Sequence, residues 1–196
     1  NPFWEMCAQW MAYVYLPNKL FNDNEWLGNS LNGMHRHPMA GYLRYENMFI
    51  QNWFVEKHGW DAVGRLWNDC DYGEDPFQTY MRTRMEGTNA EKINQLADEM
   101  WEWGARMTTY DFESIRELGK NSINRRKQTA LTKQSAGFWS PTKADCIENY
   151  GNNAIQLNVP VAGRTVYAEF VGQAGREGYT AHNVTKAGWK YGFVAL

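Results

Sequence analysis

The chain has 196 residues, with 20 Lys and Arg against 22 Asp and Glu, so its formal net charge is −2 and its length allows one good core or two small ones. That balance lacks the basic excess of nucleic-acid binders, and no apolar run approaches the ~20 residues of a membrane span, so neither a nucleic-acid partner nor a membrane span is expected in this segment. Hydrophobic residues at 43% and aromatics at 15% exclude a disordered or low-complexity chain, and ten Trp, eleven Tyr and nine Phe predict an aromatic core with some rings left over to line a groove for sugar or peptide.

The first predicted element is "NPFWEMCAQWMAYVYLP", residues 1–17, an apolar helix with a single carboxylate. Phe3, Cys7, Trp10, Met11 and Val14 are assigned to its buried face. Glu5, Ala8, Gln9 and Ala12 form a second face that pairs an acid with small residues and admits a close approach. Residues 42–57 place Tyr45, Met48, Phe49 and Trp53 on one helix face, with Gly59 as the stop. Residues 61–68 predict a short helix. Asp75-Pro76 is a cap followed by a first-turn proline and opens another helix to about Arg84. Thr88 and Glu91 form a capping box for a helix whose apolar face repeats at three and four through Ile93, Leu96, Ala97, Met100 and Met107. Residues 111–118 give the last helix, ended by Gly119.

The composition changes near residue 120. "KNSINRRKQTALTKQS" is polar and basic and reads as a solvated linker, with anion binding as the sharper alternative. From residue 137 the pattern alternates. "AIQLNV" and "TVYAEF" are predicted strands around the turn "PVAGR", and "GWKYGFVAL" is a last strand. The expected fold class is therefore α+β: a helical subdomain at 1–120, a linker at 121–136, and a small antiparallel β-sandwich at 137–196. Trp139, Trp189 and Tyr191 are candidates for a sugar platform on that sandwich, against a purely structural role in packing on the helices.

Several chemistries are weak here. Cys7, Cys70 and Cys146 are odd in number, far apart and without metal spacing, which predicts buried thiols rather than a disulfide framework. No G-x-S-x-G supports a serine hydrolase. "NDCDYGEDP" gathers acids in one stretch but does not match a calcium loop, so it reads as a helix-capping loop. His35 and His37 in "MHRHP" are two apart, which suits a strand or loop and not the i, i+4 helical pair of zincins. They are read either as solvated or as a metal site with Asp23, Glu25 or Glu46. Tyr42 and Tyr45 are candidate donors to a developing oxyanion, and Tyr45 also lies on the apolar stripe.

"WEMCAQWMA" resembles the glutamate helix of gluzincin-type zinc metallopeptidases, in which E-x-x-A-x-[WY] follows an H-E-x-x-H helix; Glu5, Ala8 and Trp10 match. "RYENMFIQNWFVEKHGWDAVGRLWND", "DPFQTYMR", "ENYGNNAIQLNVP" and "GWKYGFVAL" resemble a group of secreted bacterial proteins with gluzincin-like domains. The resemblance covers residues 1–80 and 138–196. It implies a secreted, periplasmic or cell-surface protein that cleaves peptide bonds with zinc-activated water, acting on a protein, peptide or glycan substrate. Glu5 would be the third zinc ligand, and His35, His37 and Tyr42 would border the substrate cleft. The chain departs from the pattern in having no H-E-x-x-H, and its first residue is Asn with no leader-like segment before it. The expectation is an excised C-terminal portion whose upstream segment carries the two histidines and the base. Zinc is then expected in the intact parent and not on this portion, which is expected to be inactive. The alternative is a non-catalytic carbohydrate- or protein-binding protein on an inert peptidase-like scaffold.

Overall fold

Helix α1 spans Pro2–Tyr15 in the computed structural model, which describes residues 2–17, 30, 32–43, 45–121, 128–158, 161–170 and 190–194. Its buried residues are Phe3, Met6, Trp10 and Tyr13. This corrects the expected face: Met11 is 58% exposed, and Cys7 and Val14 are only half-buried. The helix is apolar almost all round, so periodicity alone does not set its rotation. Tertiary ring contacts do: Trp10 meets Trp60 at 5.8 Å and Tyr13 meets Phe49 edge-on at 5.3 Å.

The helix predicted over 42–57 is broken. Two 3-10 turns, Gly41–Leu43 and Glu46–Phe49, precede α2 at Ile50–His58. The cause lies at Asn47, which sits off helical geometry (φ −85, ψ 25) while its side-chain amide donates to the Pro38 carbonyl at 2.9 Å. A buried Asn that can bond a nearby carbonyl competes with the regular helix. Gly59 stops α2 as expected, at φ 89.

Helix α3 covers Ala62–Asn68, α4 covers Pro76–Arg84 and α5 covers Asn89–Thr109. Both predicted caps are present as reciprocal capping boxes, Asp75 with Gln78 and Thr88 with Glu91. Each satisfies two otherwise orphaned backbone donors. Helix α6, Arg116–Gly119, is shorter than the predicted 111–118. Tyr110 ends α5 in the left-handed region (φ 55, ψ 37) and folds the chain back on itself. Gly119 then lies so close that a Cβ there would sit 2.2 Å from the Tyr110 Cβ.

Helices α2 to α5 pack each on the next, and α1 lies across the 46–49 turn and α2. Phe49, Trp53, Phe54, Tyr80, Leu96, Met100, Trp103, Met107, Phe112 and Ile115 form the centre of one core. Burying each of these side chains is worth roughly 1.5–3 kcal/mol.

Strands β1, Leu131–Lys133, and β2, Trp139–Pro141, pair antiparallel with Leu131 opposite Pro141. The fold is α+β, mostly helical with a two-stranded sheet. The hairpin starts inside the stretch read as linker. Among the described residues, 151–158, 164–170 and 190–194 run without strand pairing, so the sandwich expected for 137–196 is not formed by them.

Candidate functional site

Residues 34–42 form a tight loop between α1 and α2. Its own backbone holds it: Arg36 N–H donates to Gly33 O and Ala40 N–H to His37 O, each at 2.9 Å. The Met39 N–H donates to His37 Nδ1 at 3.1 Å, which fixes that nitrogen as an unprotonated acceptor. The His37 ring packs against Phe77 and Tyr150 at 5.9 and 5.7 Å. It is therefore a positioning side chain, with Nδ1 already occupied.

Three donors from this loop converge on one carboxylate, that of Glu148. Arg36 Nη1 reaches Oε1 at 3.0 Å, the His37 N–H reaches Oε2 at 2.8 Å, and the Tyr42 hydroxyl lies 2.7 Å from Oε2 and 3.0 Å from Oε1. The Arg36 guanidinium also lies over the Tyr42 ring, 5.6 Å from its centroid. Burial alone would raise the Glu148 carboxyl; the His37 amide, Tyr42 and Arg36 outweigh it and hold the group below its ordinary value. Partial burial, and then the facing Glu148, push the Tyr42 phenol up. The arrangement is an anion cradle: a guanidinium, a phenol and a backbone amide aimed at one pair of oxygens.

The segment that brings Glu148 in is seated on the loop by backbone. Glu148 N–H donates to His35 O and Asn152 N–H to Met34 O, both at 2.8 Å. Between them Tyr150 takes φ 61, and a Cβ on Gly151 would sit 2.3 Å from His35 O.

Of the residues expected at a cleft, the structure thus brings together His37 and Tyr42, and it places the buried His35 in the same loop. Glu5 lies at the half-buried border of α1, and no described cation pairs with it. Among the described residues no group of three His, Cys, Asp or Glu side chains is placed to hold a metal, so the alternative site of His35 and His37 with Glu46 is not assembled. Asp23, Glu25 and Trp189 lie outside the described residues. Trp139 and Tyr191 are exposed, and no ring contact joins them; Tyr191 stacks on Phe170 at 5.4 Å instead.

The cysteines are free, but not all buried as expected: Cys7 is half-buried, whereas Cys70 and Cys146 are exposed. Burial pushes the Cys7 thiol up to about 11, although Trp67 Nε1 donates to it at 3.4 Å, so it is a poor nucleophile. The acidic stretch 68–76 works as a capping and bracing loop: Asp75 caps α4 and Glu74 takes both Arg82 nitrogens at 2.7 and 2.8 Å.

Sequence reasoning missed Arg36, Glu148 and Tyr150 as partners. It also missed a chain of polar groups joining α2, α4 and α5. His58 Nε2 meets Tyr80 Oη at 2.7 Å, Tyr80 donates to Glu99 at 2.6 Å, and Lys57 pairs with Glu99 at 2.8 Å. Burial, and then Arg84, hold the His58 imidazole below its ordinary value.

A family model matches the chain over residues 1–196. The chain belongs to DUF6055, a family of unknown function. No curated protein and no solved structure matches this DUF6055 chain.

Proposed function

We propose that this chain is the C-terminal portion of a secreted, gluzincin-like zinc peptidase, with Glu5 as one metal donor and the histidines and general base supplied upstream of Asn1. The observation that carries the reading is the setting of Glu5. It is a half-buried residue bordering the apolar face of Phe3, Met6, Trp10 and Tyr13, with no described cation paired with it. Its place in the first turn of α1 suits an acidic side chain, and that carboxylate would give one oxygen donor to a metal.

A catalytic zinc takes three protein donors and keeps one position for water. Among the described residues no such set is made, and in this reading the portion is inactive without the donors supplied upstream. In this reading its own contribution is to bind and orient the peptide through the donors of the 34–42 loop. The test is zinc binding by a version extended upstream, compared with its Glu5→Gln variant. Loss of a direct ligand should weaken zinc by more than the ~10–100-fold that removal of an outer-shell partner costs. An extended chain that binds no zinc, or a Glu5→Gln variant that binds it equally well, sinks the reading.

The second reading is a non-catalytic binder of carbohydrate or protein. It is favoured by the exposed Tyr191–Phe170 ring pair, which presents apolar faces to solvent. It takes over if the extended chain binds no zinc but retains a glycan or protein ligand that Tyr191→Ala weakens.

A further inference from the structure

The anion cradle and the segment that fills it differ in how they are held. The cradle side is local: Arg36, the His37 amide and Tyr42 lie within seven residues of one another. Turn bonds, the Met39–His37 contact and the bond from Asn47 to Pro38 O all fix that loop without residues 148–152. The filling side arrives from more than a hundred residues away, with sequence separations of 106 to 112. It sits on the loop as a turn closed by the Gly151 N–H on Glu148 O at 2.9 Å, with backbone bonds to the loop from Glu148 and Asn152 and the Glu148 side chain among the donors. In peptide recognition, main-chain bonds of this kind supply affinity and a side-chain subsite supplies specificity.

Two features favour displacement of this filling, against the packing of the Tyr150 ring on His37 and Phe77. Tyr150 occupies a left-handed backbone position that a non-glycine residue holds only under tension. The ion pair at its centre is open to water, with the Arg36 side chain 40% and the Glu148 side chain 37% exposed. Tyr42 is 56% exposed.

We propose that the 34–42 loop is a recognition site for a peptide turn bearing a glutamate side chain, and that Glu148 of the 148–152 segment occupies it as an internal stand-in. The proposal stands on binding geometry alone and does not depend on the peptidase reading. An intramolecular occupant acts at an effective concentration in the millimolar range, so it holds off a free peptide that binds with similar contacts. Removing the occupant exposes the site.

The test uses the full 196-residue chain and a fluorescein-labelled, C-amidated peptide, IENYGN, which copies residues 147–152. Anisotropy titrations compare the wild-type chain with Glu148→Ala, which empties the cradle. They also include Gly151→Ala, whose new Cβ would collide with His35 O and lift the segment off. Both variants should bind the peptide at least about tenfold more tightly than wild type, since one charge-assisted contact set is worth that much or more. Changing the peptide to IQNYGN, or adding Arg36→Ala to the Glu148→Ala chain, should remove the gain. Equal binding by wild type and both variants overturns the proposal, as does equal binding of the Gln peptide. Displacement of the peptide by an equal concentration of glutarate assigns the cradle to free carboxylates and overturns the peptide assignment. If both variants lose cooperative unfolding, the segment is a structural brace and the proposal fails on that ground.

Discussion

In α5, Ile93, Leu96, Met100, Trp103 and Met107 recur at three and four residues and all are buried; in residues 154–170, Ile155, Leu157, Val166 and Phe170 follow a strand-like alternation, and each is at least 44% exposed. The apolar content of residues 154–170 is no lower than that of α5, and the outcome is opposite. A helix satisfies its own backbone and needs only a neighbour for one stripe, which α4 provides. A strand needs another strand for its hydrogen bonds and a second layer for its face. The backbone bond from Thr129 N–H to Ala154 O shows residues 154–158 tethered, but among the described residues they are not laddered. Alternation marks which side chains share a face; it does not supply the partner that covers it.

The sharpest way to break this comparison is to truncate one side chain in each region. Trp103→Ala empties the middle of the core, where the ring is 1% exposed, and should cost about 3–5 kcal/mol by chemical denaturation. Tyr167→Ala, at a side chain 92% exposed, should stay within about 0.5 kcal/mol of wild type. A comparable loss at Tyr167 would mean that the C-terminal part folds against something and that the contrast is false. Next in size is Gly119→Ala. The new Cβ must displace Tyr110, whose left-handed backbone leaves little room to yield, and the expected loss is about 1–3 kcal/mol in the same assay.

What was legible in the sequence divides along the same line. Both capping boxes, the Gly59 stop and the face of α5 were readable because each is decided within about four residues by backbone geometry. The rotation of α1 was not, because its apolar residues surround it and Trp60 and Phe49, distant in sequence, choose the face. The break at 46–49 depends on one Asn bonding Pro38, which periodicity does not register. At the site, His37 and Tyr42 were singled out from a short motif, but for metal or oxyanion chemistry. Their actual partner, Glu148, is separated from them by 106 residues or more, and nothing local to either segment announces the pairing. Zinc coordination by Glu5 was read from resemblance, and the described residues neither surround it with donors nor pair it with a cation.

A smaller effect tests whether local signals carry energy in proportion to their clarity. Asp75→Ala removes half of the α4 capping box while leaving Phe77 and Tyr80 in place, and should cost about 1 kcal/mol. The measurement is the denaturation midpoint, with Asp75→Asn expected to recover most of the loss because it can still accept from Gln78 N–H. If Asn recovers nothing, the charge matters more than the cap, and the neighbouring Glu74 network becomes the better explanation.

That network offers the smallest and most conditional prediction. Arg82 holds the Glu74 carboxyl at about 2, helped, against the cost of burial, by the Asp71 N–H and the Thr79 hydroxyl. A carboxylate lowered by folding stabilises the native state above its ordinary value of 4.5, and that stability is lost as the pH falls from about 4.5 through about 2. Glu74→Gln should therefore lower the melting temperature at neutral pH and flatten its decline over that acid range. The Arg82 side chain is 41% exposed, so solvent screens the pair and the difference should not exceed about 1 kcal/mol. Added salt should shrink it further. A Glu74→Gln difference that persists undiminished below pH 2 would show that the side chain acts through packing on the wholly buried Thr79 rather than through its charge.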